Sequence, residues 1–319
     1  MSQHSTAENL DTRTHTTRED LPALDGPYAV SPDVREAFHE KGHIKLRGVL
    51  SPEELAAYRP HLNRVVEQHS GESHAMERKV AGAGKNWKFV NNLWSLDEIA
   101  RRFILNRRFA RLAADLMGVD GVRLFRDQSY FKGPGGANTP WHQDSRFMPL
   151  DTDKSLTLWI PLTSITPDMA PMGYVTGSHR AGYLGTSNGD DASMDRFEAE
   201  LGDKGFPIAN YGNFEAGDIA VHWASTLHSS RTNTSPLLRE ILVIVYFADG
   251  ARVSAEKPLT KGAHPSEFYA NIIQRENRAT SLPGLKPGEL AEGPMTPLVY
   301  SRSWDEKAVP SRKLEGAPA

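Results

Sequence analysis

Apolar and polar positions along this chain follow two rhythms, and the change comes near residue 120. In the first third apolar residues recur three and four apart, the spacing of an amphipathic helix. Pro32 to Glu40 reads as a helix, Gly42 breaks it, and His43 to Leu50 (HIKLRGVL) alternates as a strand does. Ser51-Pro52-Glu53-Glu54 then supplies an N-cap serine, a proline at the first helical position and the glutamate of a capping box, ahead of Leu55 to His69. A further helix is predicted over Asp97 to Met117, with Ile99, Phe103, Phe109, Leu112, Ala113 and Leu116 at helical spacings, and Gly118 ends the run.

From Val122 onward the runs are short, β-branched and aromatic, and are punctuated by Gly, Pro and Asn. They are VRLFRDQSYFK, SLTLWIPLTSI, MGYVTGSH, GDIAVHW and EILVIVYFA. No helical period alternates with these strands as a parallel sheet requires, and no repeat of 20 to 50 residues is visible. The pattern predicts a mainly β protein with flanking helices, an antiparallel jelly roll or barrel. One domain is expected over residues 24–319: a helical part at 24–120, a β core at 121–250, and a Pro/Gly-punctuated extension at 251–319. Residues 183–205 interrupt the strands with an acidic insert, and both insert and extension read as covers over the core. The polar stretch 1–23 has no apolar period and reads as a disordered tail.

Charge and composition narrow the function. The 37 basic and 40 acidic side chains leave a net charge of -3, no electrostatic footprint for nucleic acid. The longest apolar run, Ile241 to Ala248, is far too short to span a bilayer, and the first residues lack the apolar centre of a signal peptide. A cytoplasmic protein without membrane or nucleic-acid partners is expected. The absence of cysteine excludes disulfides, thiolate metal sites, iron–sulfur clusters and a cysteine nucleophile. Any metal must be held by histidine and carboxylate.

The triplet His142-Gln143-Asp144, after Trp141, places its first and third side chains on one face of a strand, where both can grip one cation. Alone it is a weak signal, matched by a surface His-Asp pair. Support comes from a second segment, where Gly217-Asp218 opens a strand carrying His222, with His228 at its end; either histidine is placed to add a third ligand. Two histidines and one carboxylate form the facial triad of non-haem Fe(II) oxygenases, which leaves positions open for co-substrate and oxygen. Arg239 stands at the mouth of the apolar strand 241–248. An arginine buried there is costly without a carboxylate, and its planar fork suits one.

Taken together, Trp141-His142-Gln143-Asp144, GYVTGSH at 173–179, Gly217-Asp218, His228-Ser229-Ser230, Asn233, Ser235 and Arg239 resemble the phytanoyl-CoA dioxygenase family of Fe(II)/2-oxoglutarate oxygenases, over about residues 36 to 249. The resemblance implies a double-stranded β-helix, with iron held by His142, Asp144 and His228. Arg239, eleven positions past the distal histidine, would bind the far carboxylate of 2-oxoglutarate, and Ser230 would hydrogen-bond the same group. Trp159 and Gln128 match positions near the co-substrate. Fe(II), 2-oxoglutarate and O2 are the implied cofactors, and hydroxylation of a C–H bond in a small molecule is the implied reaction. Halogenating relatives carry a small residue in place of the carboxylate; Asp144 is present here. Met172-Gly173 and Thr176 depart from the family's usual turn, which bears on substrate details. The alternative is a non-catalytic, cupin-like metal-binding or sensory module, which has no need of Arg239.

The same spacing selects His228 over His222, which falls where relatives often carry an aromatic or apolar residue and reads as a satisfied structural histidine. His179 reads as a packing or turn-capping residue, Arg231 as a solvated surface arginine, and Asp168, His4 and His15 as surface residues. The insert 183–205 carries six acids (Asp190, Asp191, Asp195, Glu198, Glu200, Asp203) against Arg196 and Lys204. Overhanging the cleft, it would repel a polyanionic thioester and favour neutral or cationic substrates.

Overall fold

The structure, a computed structural model, describes residues 21–70, 86–255 and 265–308. Two antiparallel sheets face each other. The larger has seven strands in the order β1 (His43–Leu46), β8 (Ile219–Trp223), β5 (Ser155–Pro161), β10 (Ile241–Ala248), β3 (Gly121–Lys132) and β11 (Leu298–Ser301), with β2 (Trp87–Asn91) also paired to β3. The smaller has β4 (Thr139–His142), β9 (His228–Ser230), β6 (Met172–Val175) and β7 (Ile208–Asn210). This is the antiparallel jelly roll that the strand pattern predicts, the double-stranded β-helix that the resemblance implies.

The apolar run of β10 is explained by burial on both faces. Leu242, Ile244 and Tyr246 join Leu124, Leu158, Ile160 and Val221 in a layer beneath the helices. Ile241, Val243, Val245 and Phe247 join Phe125, Trp159, Ala220 and Tyr174 in the space between the sheets. Alternation is therefore hidden from an eye looking for polar gaps. The outer layer is covered by α1 (Pro32–Lys41), α2 (Pro52–His69), α3 (Leu93–Leu96), α4 (Glu98–Ile104) and α5 (Arg107–Met117). Ser51 and Glu54 form the capping box that opens α2.

The structure departs from the sequence pattern at several elements. The stretch 97–117 is two helices: Asn106 accepts from Phe109 N–H at 2.9 Å to cap α5, while its amide donates to Phe103 O at 2.6 Å to close α4. β1 ends at Leu46, where the chain turns through Gly48 (φ 60°), whose N–H donates to Asp218. Gly217 (φ 96°) fixes the entry to β8; a Cβ there would lie 2.0 Å from Leu50 O. Leu21 and Leu24 are buried in the layer beneath the helices, so the packed chain includes the last residues assigned to the tail; positions 1–20 lie outside the described residues. The extension is more than a cover, because β11 completes the large sheet, beside α7 (Pro265–Ser281) and α8 (Arg302–Ala308). β2 and α3 have no counterpart in the predicted elements.

The acidic insert contains helix α6 (Asp191–Asp203). Its Met194 and Leu201 pack on Trp141, Val175 and Leu227, the outer face of the small sheet. The neighbouring residues His142, Tyr174 and His228 point the other way.

Candidate metal and co-substrate site

His142 closes β4 and His228 opens β9, and the two are direct partners in the antiparallel ladder. Their ring centroids are 4.2 Å apart. Asp144 follows in a 3-10 turn over Asp144–Phe147, held by Ser145 N–H donating to Ala224 O and by two amides of α7. Gln274 Nε2 donates to Met148 O at 3.0 Å and Asn277 Nδ2 to Phe147 O at 2.7 Å. Asp144 Oδ1 then lies 3.5 Å from His142 Nε2 and 3.7 Å from His228 Nε2. One ligand atom from each of the three residues lies within 4.8 Å of the others.

The hydrogen bonds behind these rings set their chemistry. His142 Nδ1–H donates to Pro140 O at 2.7 Å and His228 Nδ1–H to Thr226 O at 2.9 Å. A carbonyl only accepts, so each neutral ring has its proton on Nδ1 and a lone pair on Nε2. Two lone pairs and a carboxylate oxygen thus converge with no proton required between them, the donor set of a divalent first-row metal. Burial and the neighbouring His222 and His142 push the His228 pKa well down, favouring the ligating form. Burial alone would raise the Asp144 carboxyl, but His228, His142 and His222 hold it well below the ordinary carboxylate range. Burial opposes protonation of His142, yet its hydrogen bond and charge interaction with Asp144 raise its pKa.

Behind the triad lies a cationic recess. Arg239 is 2% exposed, and its Nη1 donates to Ala170 O. Its Nε is buried with no partner, and no carboxylate pairs with it among the described residues. Its guanidinium lies 5.9 Å from the centroid of Trp159, and burial pushes its pKa down to about 9. Beside it stands Lys132, which the sequence reading missed. The backbones of Lys132 and Arg239 exchange two hydrogen bonds of 2.9 Å, so both side chains enter from adjacent strands on one face. Lys132 is 0% exposed, and its Nζ donates to Ser230 Oγ at 2.8 Å and Arg231 O at 2.9 Å. Burial, then the charge of Arg239, depresses its pKa strongly. Holding both groups as cations without an anion is expensive, a cost that an entering carboxylate relieves. A 2-oxoglutarate molecule fits that description in charge and in hydrogen-bonding chemistry.

The remaining predicted residues fall on the same inner surface. Ser230 Oγ accepts from Lys132 and donates to Thr139 Oγ1 at 3.2 Å. Trp159 packs on Phe214 with centroids 5.2 Å apart. Gln128 donates to Asn91 Oδ1 at 2.7 Å and accepts from Tyr130 OH at 3.1 Å, within a polar strip on the inner face of β2 and β3.

Other candidates separate from the site. His179 Nε2 donates to His39 O at 3.0 Å, and the ring lies against Gly42, as expected of a packing residue. Arg231 is at the surface as expected, with 38% of its side chain exposed, but it is ion-paired there, with Asp195 at 2.7 Å, Glu198 at 2.6 Å and Asp191 at 3.7 Å. Glu198 also accepts from Trp141 Nε1 at 3.0 Å, so the insert is tied to the back of the ligand strands and part of its negative charge is neutralised. Asp168 is exposed, as expected of a surface residue, and its backbone carbonyl accepts from Thr234 N–H at 2.9 Å. His4 and His15 lie outside the described residues. His222 is not satisfied as a structural histidine would be; its Nδ1 has no partner, and its Nε2 approaches Asp144 Oδ2 at 3.3 Å.

Comparison with known proteins agrees with this geometry. A 27% identical relative from Stutzerimonas stutzeri, a probable alpha-ketoglutarate-dependent hypophosphite dioxygenase, aligns with 67% of this chain and 77% of its own length. The ectoine dioxygenase of Stutzerimonas stutzeri strain A1501 is 24% identical, covering 68% of this chain and 76% of the relative. Among solved structures, the alpha-ketoglutarate-dependent carbocyclase SnoK of nogalamycin biosynthesis shares the fold with a TM-score of 0.65 at 24% identity, over 86% of this chain and 99% of that one. The family model described as phytanoyl-CoA dioxygenase matches residues 38–241, well over half the chain. The chain therefore belongs to the phytanoyl-CoA dioxygenase family and is an oxidoreductase of the Fe(II)- and 2-oxoglutarate-dependent dioxygenase type.

Proposed function

We propose that this protein hydroxylates a C–H bond of a small molecule, with iron held by His142, Asp144 and His228 and 2-oxoglutarate held in the recess of Arg239, Lys132 and Ser230. The observation that carries the reading is the buried pair Lys132 and Arg239, with no anion beside it among the described residues, tied through Ser230 to the strand of His228, next to three converging metal ligands. A structural or sensory metal has no use for such a recess, so the same observation speaks against the non-catalytic alternative.

Each part of the chain has a definable task. Iron with 2-oxoglutarate and O2, when bound, supplies the oxidising chemistry. Arg239 offers its unpartnered Nε–H and the rest of its fork to the distal carboxylate, while Lys132 contributes a second charge and Ser230 a hydroxyl. Trp159 closes the apolar side of the recess and, with Phe214, keeps water from the guanidinium. The backbone bonds at His142 and His228 hold the two rings in the ligating tautomer before any metal arrives.

Gln128, Asn91 and Tyr130, whose amide and phenol groups line the same face of β2 and β3 as Lys132, are assigned as polar contacts of the bound small molecules. Helix α6 lies on the outer face of the small sheet and Arg231 pairs three of its acids, so the insert is not the electrostatic screen that its sequence suggests. The test is a substrate-library screen following 2-oxoglutarate consumption and product mass together. Hydroxylation predicts a product one oxygen heavier, formed in step with succinate. Consumption tied to loss of two hydrogens instead would replace hydroxylation by desaturation or ring closure.

A further inference from the structure

The two oxygens of Asp144 stand in different surroundings. Oδ1 faces the ligating nitrogens of His142 and His228 at 3.5 and 3.7 Å. Oδ2 turns toward the large sheet, where it accepts from Thr157 Oγ1 at 2.8 Å and lies 3.3 Å from His222 Nε2. Thr157 and His222 are direct partners across the β5–β8 ladder, so both donors come from one rung of the large sheet. That rung reaches across the space between the sheets to a turn carried by the small one.

The tautomer of His222 follows from its surroundings. The residue is 1% exposed, and its Nδ1 is buried with no hydrogen-bond partner. A proton on Nδ1 would bury a donor with no acceptor and leave a bare lone pair facing a carboxylate. A proton on Nε2 gives Asp144 a donor and leaves only a lone pair unpaired, the smaller penalty. Packing fixes the ring, with centroids 5.4 Å from Tyr174 and 4.2 Å from His228.

We infer that His222, together with Thr157, is a positioning residue that engages Oδ2 of Asp144 so that this carboxylate offers the metal a single oxygen. The inference rests on the reading of His142, Asp144 and His228 as metal ligands. Its consequence is a count of coordination sites. A facial triad with a one-oxygen carboxylate leaves three octahedral positions, enough for a chelating 2-oxo acid and O2. If the carboxylate closed on the metal through both oxygens, only two would remain.

The experiment uses Mn(II) alone as the probe, bound to the full chain, with bound waters counted from EPR line broadening in 17O-enriched water. The parent should bind one Mn(II) with three waters. His222→Phe keeps an aromatic ring beside Tyr174 but removes the donor; it should bind Mn(II) about ten-fold more weakly and hold two waters. His222→Gln, which can offer an amide N–H to Oδ2, should recover affinity to within about three-fold and restore the third water. Thr157→Val removes the other donor at nearly constant volume and should also shift the water count toward two, so the outcome does not hang on the folding of one variant. Unchanged affinity and three waters in His222→Phe would overturn the inference. A gain of a water in that variant would overturn it differently, by making His222 a ligand. Failure of the parent to bind Mn(II) would sink the metal-site reading itself, and so is distinguishable from a failure confined to His222.

Discussion

The residues that matter most here are buried charges, and each makes a checkable demand. Arg239→Leu or Lys132→Met leaves the distal carboxylate of 2-oxoglutarate short of a charged partner in a dry recess. Losing one partner of such a pair costs about 2 to 5 kcal/mol, so anaerobic titration calorimetry on the Fe(II)-loaded protein should show at least a roughly thirty-fold weaker Kd for 2-oxoglutarate, with iron affinity little changed. Equal affinity in the Lys132 variant would remove that residue from the recess. Asp127 is a different case: it lies buried in the middle of β3, accepting from Leu93 N–H at 2.8 Å and Trp94 N–H at 3.3 Å, and burial pushes its carboxyl up to about 7. In the unfolded chain such a carboxyl titrates near 3.9. The folded state therefore holds the extra proton between these values. Its contribution to stability is complete below about pH 4 and is lost as pH rises through about 7. Urea unfolding of the parent and Asp127→Asn should show the parent losing ground to the variant between pH 5 and pH 8; parallel pH profiles would contradict this. At this scale the sequence was legible where chemistry is concentrated in short motifs, as at His142 and Asp144. Lys132 escaped because a lysine in an alternating strand reads as an outward-facing residue. Only the register with Arg239 shows that it faces inward.

Elements were legible where a local signal starts or stops them. The Ser51–Glu54 capping box and the glycines at 42 and 118, both with positive φ, mark their helix ends as expected. The break between α4 and α5 was hidden because neither glycine nor proline marks it, and the decision falls to Asn106, which serves both helix ends. Asn106→Ala should destabilise the protein by about 1 to 2 kcal/mol in urea unfolding, since it removes a cap and leaves a buried carbonyl unpaired; a change below a few tenths would mean that the two helices do not depend on it. β2 and β11 were missed for a related reason. They occupy the same free edge of β3, one on each half, and edge pairing is decided by the partner strand.

At the scale of the whole molecule, two sheets of different provenance build one site. The small sheet supplies His142 and His228, while the large one supplies Lys132, Trp159, Thr157 and His222 and runs into Arg239. The fold class was legible because antiparallel strands leave short runs and turn residues in the sequence; the position of the insert was not, because charge alone cannot say which face of a sheet a helix covers. No helix among the described residues is long and apolar enough to cross a membrane. The central claim is that the triad and the cationic recess act on one co-substrate, and an anaerobic optical titration tests it most directly. Fe(II) and 2-oxoglutarate together should give a weak visible charge-transfer band with one-to-one stoichiometry, absent with Zn(II), whose filled d shell has no such transition. The band should be absent in Asp144→Ala if that change removes the metal, and should need far more 2-oxoglutarate in Arg239→Leu. Stoichiometric iron binding with no band at saturating 2-oxoglutarate would contradict the account and leave a metal-holding module in its place.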